Sequence, residues 1–227
     1  MILYFIFAPP KYNHQFYMKN LNLSGELLID REAMWDKTQE LVSKTDKFGT
    51  IKYCNEAFVN VSGFEEYELI GQSHNIIRHP DMPKVIFKLL WDNLSKGNDF
   101  HAVVKNKTKN GRYYWVITQF EIFINENGQI TDYLSRRKAV SPFVISKFEA
   151  FFKKIKQIED AVGIEAAEEY LKGFLEYNKM TYEEFLTNIL KEDQNLNDQA
   201  NKSDASAKDN AEVTIKKKKS FLNKLFG

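Results

Sequence analysis

The chain has a single cysteine, Cys54, among its 227 residues. That excludes an intramolecular disulfide framework and a cysteine-built zinc site, and it fits a reducing, cytoplasmic compartment. Cys54 itself reads as a small core residue in a strand. Excess charge of either sign is also missing: 32 Lys and Arg stand against 31 Asp and Glu, so the chain as a whole lacks the electrostatic footprint of a nucleic-acid binder. There is no long apolar run. The opening MILYFIFA meets Pro9 and Pro10 at once and has no basic residue before it, so neither a membrane span nor a secretory signal is expected, and Met18 is an alternative start. No phosphate-cradling glycine loop, paired nucleophile and base, or metal-ligand cluster is visible, so no catalytic or metal residue is assigned and an enzyme is not expected.

What the chain does have is concentrated in Gly71 to Trp91, GQSHNIIRHPDMPKVIFKLLW. Two histidines, an arginine and an aspartate crowd one short connector, and a buried polar group without a partner is costly. Such a run implies a ligand, a capped turn, or both. Pro80 and Pro83 fix two backbone angles and disfavour helix at His79 and Met82. A rigid turn should therefore precede a helix starting at Asp81 or Met82. Val85, Ile86, Leu89, Leu90 and Leu94 follow at helical spacing, with Phe87 and Trp91 as a second apolar flank.

Around this run the chain reads as an α+β unit. Asp30 to Glu40 is expected to be a short leader helix begun by an aspartate cap. Leu41–Lys44 and Thr50–Cys54 flank a turn and predict a hairpin. Asn55 is expected to cap a helix that ends at Ser62-Gly63. Phe100–Lys107 and Arg112–Ile124 flank Asn110-Gly111, a strong hairpin signal, and Ile130–Val140 makes a fifth strand. The expected sum is a five-stranded antiparallel sheet with connector helices over one face.

Four segments then carry a resemblance: SKTDKFGTIKYCNEAFVNVSGF, ELIGQSHNIIRHPDMPKVIFKLLW, VKNKTKNGRYYWV and YLSRRK, in that order over roughly residues 40–140. They resemble the PAS domain of Aer-type aerotaxis (energy taxis) receptors, and HNIIRHPDMP is far more specific than a general PAS signature. The resemblance implies non-covalent FAD in the PAS pocket and a redox signal passed by contact, in trans, to a methyl-accepting chemotaxis receptor. It carries Asn55, Arg78, His79, Asp81, Asn106 and Trp115 into the cofactor site. Where the family has a Trp followed two positions later by Gly, this chain has Phe100 and Ala102; Phe100 can stack but brings no indole donor. His74, His79 and His101 keep haem open as an alternative cofactor, and a cofactor-free interaction or scaffold module is the competing class.

Beyond the sheet, Ser141-Pro142 announces a helix. Val144, Phe148, Phe151, Ile155, Ile158 and Val162 follow at heptad spacing, which suits a homodimer seam or a helix folded back on its neighbours. Ala167 to Phe174 suggests a second helix, and Thr181 with Glu184 matches a capping box ahead of a third. The expected division is an N-terminal arm and leader helix (1–40), the sensor domain (41–140), a helical extension (141–192) and a disordered tether (193–227). The tether ends in Lys216–Lys219 and an apolar cluster suited to peripheral contact with an anionic membrane or with an acidic groove of a partner.

Overall fold

A computed structural model of the chain describes residues 28–201. The expectations for residues 1–27 and for the basic tail lie outside the described residues. Five strands form one antiparallel sheet: β1 (Leu41–Asp46), β2 (Ile51–Cys54), β3 (His101–Lys107), β4 (Tyr113–Ile124) and β5 (Ile130–Ala139), in the order β2-β1-β5-β4-β3. Between β2 and β3 run α1 (Glu56–Ser62), α2 (Glu66–Leu69), a 3-10 turn (His74–Ile77) and α3 (Lys84–Leu94). After β5 come α4 (Pro142–Ala161), α5 (Ile164–Tyr177) and a sixth helix, α6, over 182–201. Among the described residues, no helix is long and apolar enough to cross a membrane.

Local chemistry sets the element ends. The Asn55 side chain accepts from Phe58 N–H, and Gly63 closes α1 in the left-handed region with φ 72°. Ser141 accepts from Val144 N–H ahead of the first-turn proline of α4. Thr181 and Glu184 exchange the two bonds of a capping box: Thr181 N–H donates to Glu184 Oε2 at 2.7 Å, and Glu184 N–H to Thr181 Oγ1 at 3.2 Å. Helix α3 begins at Lys84, later than the sequence suggests, because Pro83 at its cap stays extended with ψ 136°.

Two expectations are corrected. Residues 30–40 form no leader helix; 29–33 run beside the start of β4, and a turn follows in which Gln39 N–H donates to Asp36 O at 3.1 Å. Strand β5 ends opposite Val116, which leaves the first residues of β4 open on that side. The arm fills the gap: Ala33 N–H donates to Tyr113 O at 2.6 Å, and Tyr113 N–H to Arg31 O at 3.1 Å. A sheet partner thus satisfies donors that a helix would have used. Residues 193–201, expected to be disordered, continue α6. Once the capping box has nucleated that helix, each further turn adds hydrogen bonds at little cost, and Asp193 also accepts from the Ser141 hydroxyl at 2.7 Å.

The connector helices cover one face of the sheet, and α4 covers part of the other. The heptad-spaced residues of α4 fold back: Val144, Phe148, Phe151 and Ile155 are buried, whereas Val162 is 75% exposed. Trp115 of β4 stacks on Phe152 at 6.3 Å, and Phe151 meets Phe174 of α5 at 5.0 Å and Phe185 of α6 at 4.8 Å. Aromatic contacts therefore run without a break from the sheet into all three C-terminal helices. Truncating a buried phenylalanine removes its transfer energy and leaves a void. Phe152→Ala is expected to cost about 3 kcal/mol or more, with sheet and extension lost in one urea transition followed by both circular dichroism and tryptophan fluorescence. Two separate transitions would show that α4 to α6 form an independent unit.

Candidate functional site

Strand alternation and register sort the candidate residues between two faces. Cross-strand partners share a face, so the pairs Asn106↔Tyr114, Ala102↔Thr118, Thr118↔Arg137, Phe120↔Ser135 and Ser43↔Ser135 place all of these residues under the connector helices. The pair Lys105↔Trp115 faces α4.

On the connector side lies a small hollow of about 70 Å3, between the sheet and Phe87, Leu90 and Trp91 of α3. Arg78 reaches it from the end of the 3-10 turn, its guanidinium 4.0 Å from the Phe87 ring centroid, and its backbone bridges to Asn106. Burial lowers the Arg78 pKa, opposed by the nearby Glu159 carboxylate. Asn106 and Thr118 border the same hollow, and neither the Asn106 amide nitrogen nor the Thr118 or Tyr114 hydroxyl makes a close hydrogen bond, although Asn106 lies near enough to the Tyr114 hydroxyl to act on it, against the burial that raises the Tyr114 pKa. All three residues are buried.

Arg137, which the sequence reading did not single out, is the central group here. It is 2% exposed, and among the described residues no carboxylate lies within ion-pair distance of it. Its Nη1 donates to Ser43 Oγ at 3.0 Å and its Nη2 lies 2.9 Å from His74 Nε2. A guanidinium can only donate, so His74 Nε2 is the acceptor and the imidazole proton sits on Nδ1. Burial and the Arg137 charge together hold the His74 pKa well below 6.5. Burial also depresses Arg137 itself, to about 10, which leaves it charged at neutral pH. The available signal was parity: Ser43, Thr118, Ser135 and Arg137 occupy inward positions where a packed core would place aliphatic residues.

The other predicted residues lie elsewhere. His79, Asp81 and Trp115 border a second cavity of about 900 Å3 on the opposite face, beneath α4. There Asp81 meets Lys105 Nζ at 2.6 Å, and Asp81 N–H donates to His79 Nδ1 at 3.2 Å. Burial and the neighbouring Lys105 charge lower His79 to about 4, only partly offset by Asp81. For Asp81, burial acts upward, but the hydrogen bond from Lys105 and the charges around it win and the pKa is lowered. Asn55 is committed to the backbone: its Oδ1 accepts from Phe58 and Val42 N–H, each at 3.0 Å, and its Nδ2 donates to Glu40 O at 2.8 Å. Phe100 stacks on Tyr182 of α6 at 5.3 Å. Of the seven predicted cofactor residues, Arg78 and Asn106 thus meet at the hollow. The three histidines named for haem do not converge, since His101 instead meets Glu183 at 3.2 Å.

Residues 51–136 match a family model described as the PAS fold. The aerotaxis receptor of Escherichia coli (strain K12) is 38% identical over 135 residues, which cover 60% of this chain and 26% of the receptor. The chain carries a PAS domain of the aerotaxis-receptor type. A nitrogen fixation regulatory protein of Klebsiella pneumoniae is 23% identical over 109 residues, covering 48% of this chain and 22% of that protein. The PAS-bearing chain therefore spans about a quarter of the length of these relatives. Among solved structures, a light-oxygen-voltage domain studied with a flavin analogue shows a TM-score of 0.43 and 22% identity, over 53% of this chain and 89% of that one.

The two depressed histidines give the PAS domain a pH signature. Each has a folded pKa below its unfolded value near 6.5. The unfolded chain therefore binds protons first on acidification, and stability falls as pH drops from about 6.5 toward 4. Urea midpoints should decline between pH 7 and pH 5, and His79→Asn should flatten that slope. A midpoint unchanged over this interval would contradict the buried neutral imidazoles.

Proposed function

We propose that this PAS domain is a cytoplasmic redox or energy sensor that holds FAD against the connector side of the sheet. It signals by protein contact to a separate membrane-bound chemoreceptor in aerotaxis. One observation supports this reading above the others: a buried Arg137 with no acid beside it borders the hollow under α3 together with Arg78, Asn106 and Thr118, and the Thr118 hydroxyl and the Asn106 amide nitrogen make no close hydrogen bond. A solid core has no use for such an arrangement, because each unmet group destabilises the fold. A flat ring with polar edges would meet those groups and pack against Phe87 and Trp91. A bound flavin supplies reversible electron transfer whose potential is tuned by neighbouring protein groups. In this chain Arg78 and Asn106 would hold and orient it, joined by Arg137.

The hollow also suggests how occupancy leaves the domain. About 70 Å3 is room for roughly two waters, far below the roughly 300–1,000 Å3 of small-molecule sites. Ligand entry therefore requires α3 to move off the sheet. That helix lacks a cap of its own, since Pro83 offers no side-chain acceptor. Glu159 of α4 supplies one from 74 residues away, its Oε2 accepting Val85 N–H at 3.2 Å. Lys88 of α3 also pairs with Glu168 of α5. Displacement of α3 is thereby passed to the C-terminal helices, which we take to be the surface presented to the receptor.

Purified full-length protein should retain FAD and show its visible absorption, with bands that respond to dithionite. Protein that stays colourless after reconstitution would favour the cofactor-free interaction module. Glu159→Met removes the acceptor at nearly constant volume. It should cost α3 about 1.4 kcal/mol, a roughly tenfold rise in amide exchange at Val85 to Phe87. Unchanged exchange there would disconnect α3 from α4.

A further inference from the structure

We infer that the groove between α3 and α5 is a docking site for the chain's own basic end, Lys216 to Phe226, which thereby covers part of the helix surface offered to a partner. Neither the groove nor its occupant depends on a flavin. Only the consequence for a receptor rests on the function proposed above.

The groove holds about 500 Å3, with Val85 and Leu89 of α3 on one wall and Leu171, Leu175 and Met180 on the other. Val85 and Leu171 are buried, whereas Leu89, Leu175 and Met180 stay half-buried, so an apolar strip opens outward along about three turns of α5. Its rim is unevenly charged. Near the start of α5, Lys88 is surrounded by acids: its hydrogen bond to Glu168, and then the Glu168, Asp92 and Glu165 charges, raise its pKa. That end therefore carries more carboxylates than cations. Farther along, Lys172 lies 3.8 Å from Glu176, and Lys179 stands at the rim. The acidic excess is wider than the groove: residues 163–201 hold nine acids against three lysines.

The end of the chain has the complementary makeup. Residues 213–227 hold five lysines and no acid, and Lys216–Lys219 is followed at once by Phe221, Leu222, Leu225 and Phe226. With its lysines at the Asp92, Glu165 and Glu168 end, the segment sets its apolar residues against Leu89, Leu171 and Leu175, so charge and apolar burial act together. Chain length permits the contact. Helix α6 is followed from residue 201, and the fourteen residues 202–215 can span up to about 50 Å, more than the roughly 30 Å length of the 20-residue α4. A separate partner must be collected from solution, whereas a tethered segment can act at an effective concentration of the order of millimolar. Docked there, it bridges α3 and α5 beside the Lys88–Glu168 pair, and a receptor must displace it to reach the groove.

The experiment uses the full chain with a nitroxide on Asn223→Cys, which leaves the lysines and apolar residues of the segment in place. The native Cys54 is buried and shielded from the label. Broadening of the Leu89, Leu171 and Leu175 methyl signals is expected by NMR. The combined Lys216→Gln, Lys217→Gln, Lys218→Gln and Lys219→Gln variant should weaken docking about tenfold, and added salt should act in the same direction. Leu175→Asp on the groove wall should abolish the broadening; if that variant loses its dispersed spectrum, the lysine variant decides. Signals that stay sharp overturn the docking, including the case in which vesicles of phosphatidylglycerol and phosphatidylcholine take up the segment instead. Broadening seen only between labelled chains and unlabelled, isotope-enriched ones assigns the segment to a second copy and overturns the contact within one chain. Broadening indifferent to the lysine substitutions also overturns it. None of these readouts involves flavin: colourless protein with broadened signals removes the flavin reading and keeps the docking, and yellow protein with sharp signals does the opposite.

Discussion

A strand shows each side chain to one face only, and every feature of this protein follows from how β4 divides its residues. Its twelve residues pair with β3 along one edge and β5 along the other. Tyr114, Thr118 and Phe120 therefore go beneath the connector helices, while Trp115 goes beneath α4. A one-residue slip of register would exchange the two sets, bringing Lys105 and Trp115 under α3 and exposing Arg137. The hairpin turn at Asn110-Gly111, where Gly111 takes φ 83°, pins that register at its origin. Polar chemistry on one side and aromatic packing on the other are two consequences of one pairing.

That division explains which parts of the fold were legible in the sequence. Features set by local chemistry could be read: the Asn55 cap, the Gly63 stop, the Ser141-Pro142 start and the Thr181-Glu184 box each act within a few residues. Features settled by a distant partner could not. Residues 30–40 contain good helix-starting chemistry, but the open edge of β4, some eighty residues away, binds their backbone first. The site was half legible for the same reason. Arg78, His79 and Asp81 are adjacent in sequence, yet the chain turns between them, so Arg78 reaches one cavity and His79 and Asp81 the other. Family resemblance placed all three in one cofactor site; only the register shows that the sheet lies between them.

Arg137 was missed because the segment YLSRRK looks like a surface strand rich in charge. Parity separates its two arginines. Arg136 is half exposed and pairs with Glu40, whereas Arg137, one residue on, is enclosed with no acid beside it. Charge counts cannot make that distinction, since both residues contribute alike to a net charge near zero. Facing of the strand does.

A fold with a net stability of roughly 5–15 kcal/mol cannot leave buried polar groups unmet and a guanidinium without a counter-charge unless packing elsewhere offsets them. Here the packing is visible in the aromatic chain from Trp115 through Phe152, Phe151 and Phe174 to Phe185 on the far side of the sheet. The C-terminal helices thus do two physical jobs with one set of contacts. They stabilise a sheet whose other face is poorly satisfied, and through Glu159 they hold the end of the helix that closes over that face. On the proposed flavin reading, a ligand that met those groups would displace α3, and the Glu159 contact would carry that displacement to the extension. Coupling between pocket and extension would then follow from how the unmet polar groups are offset.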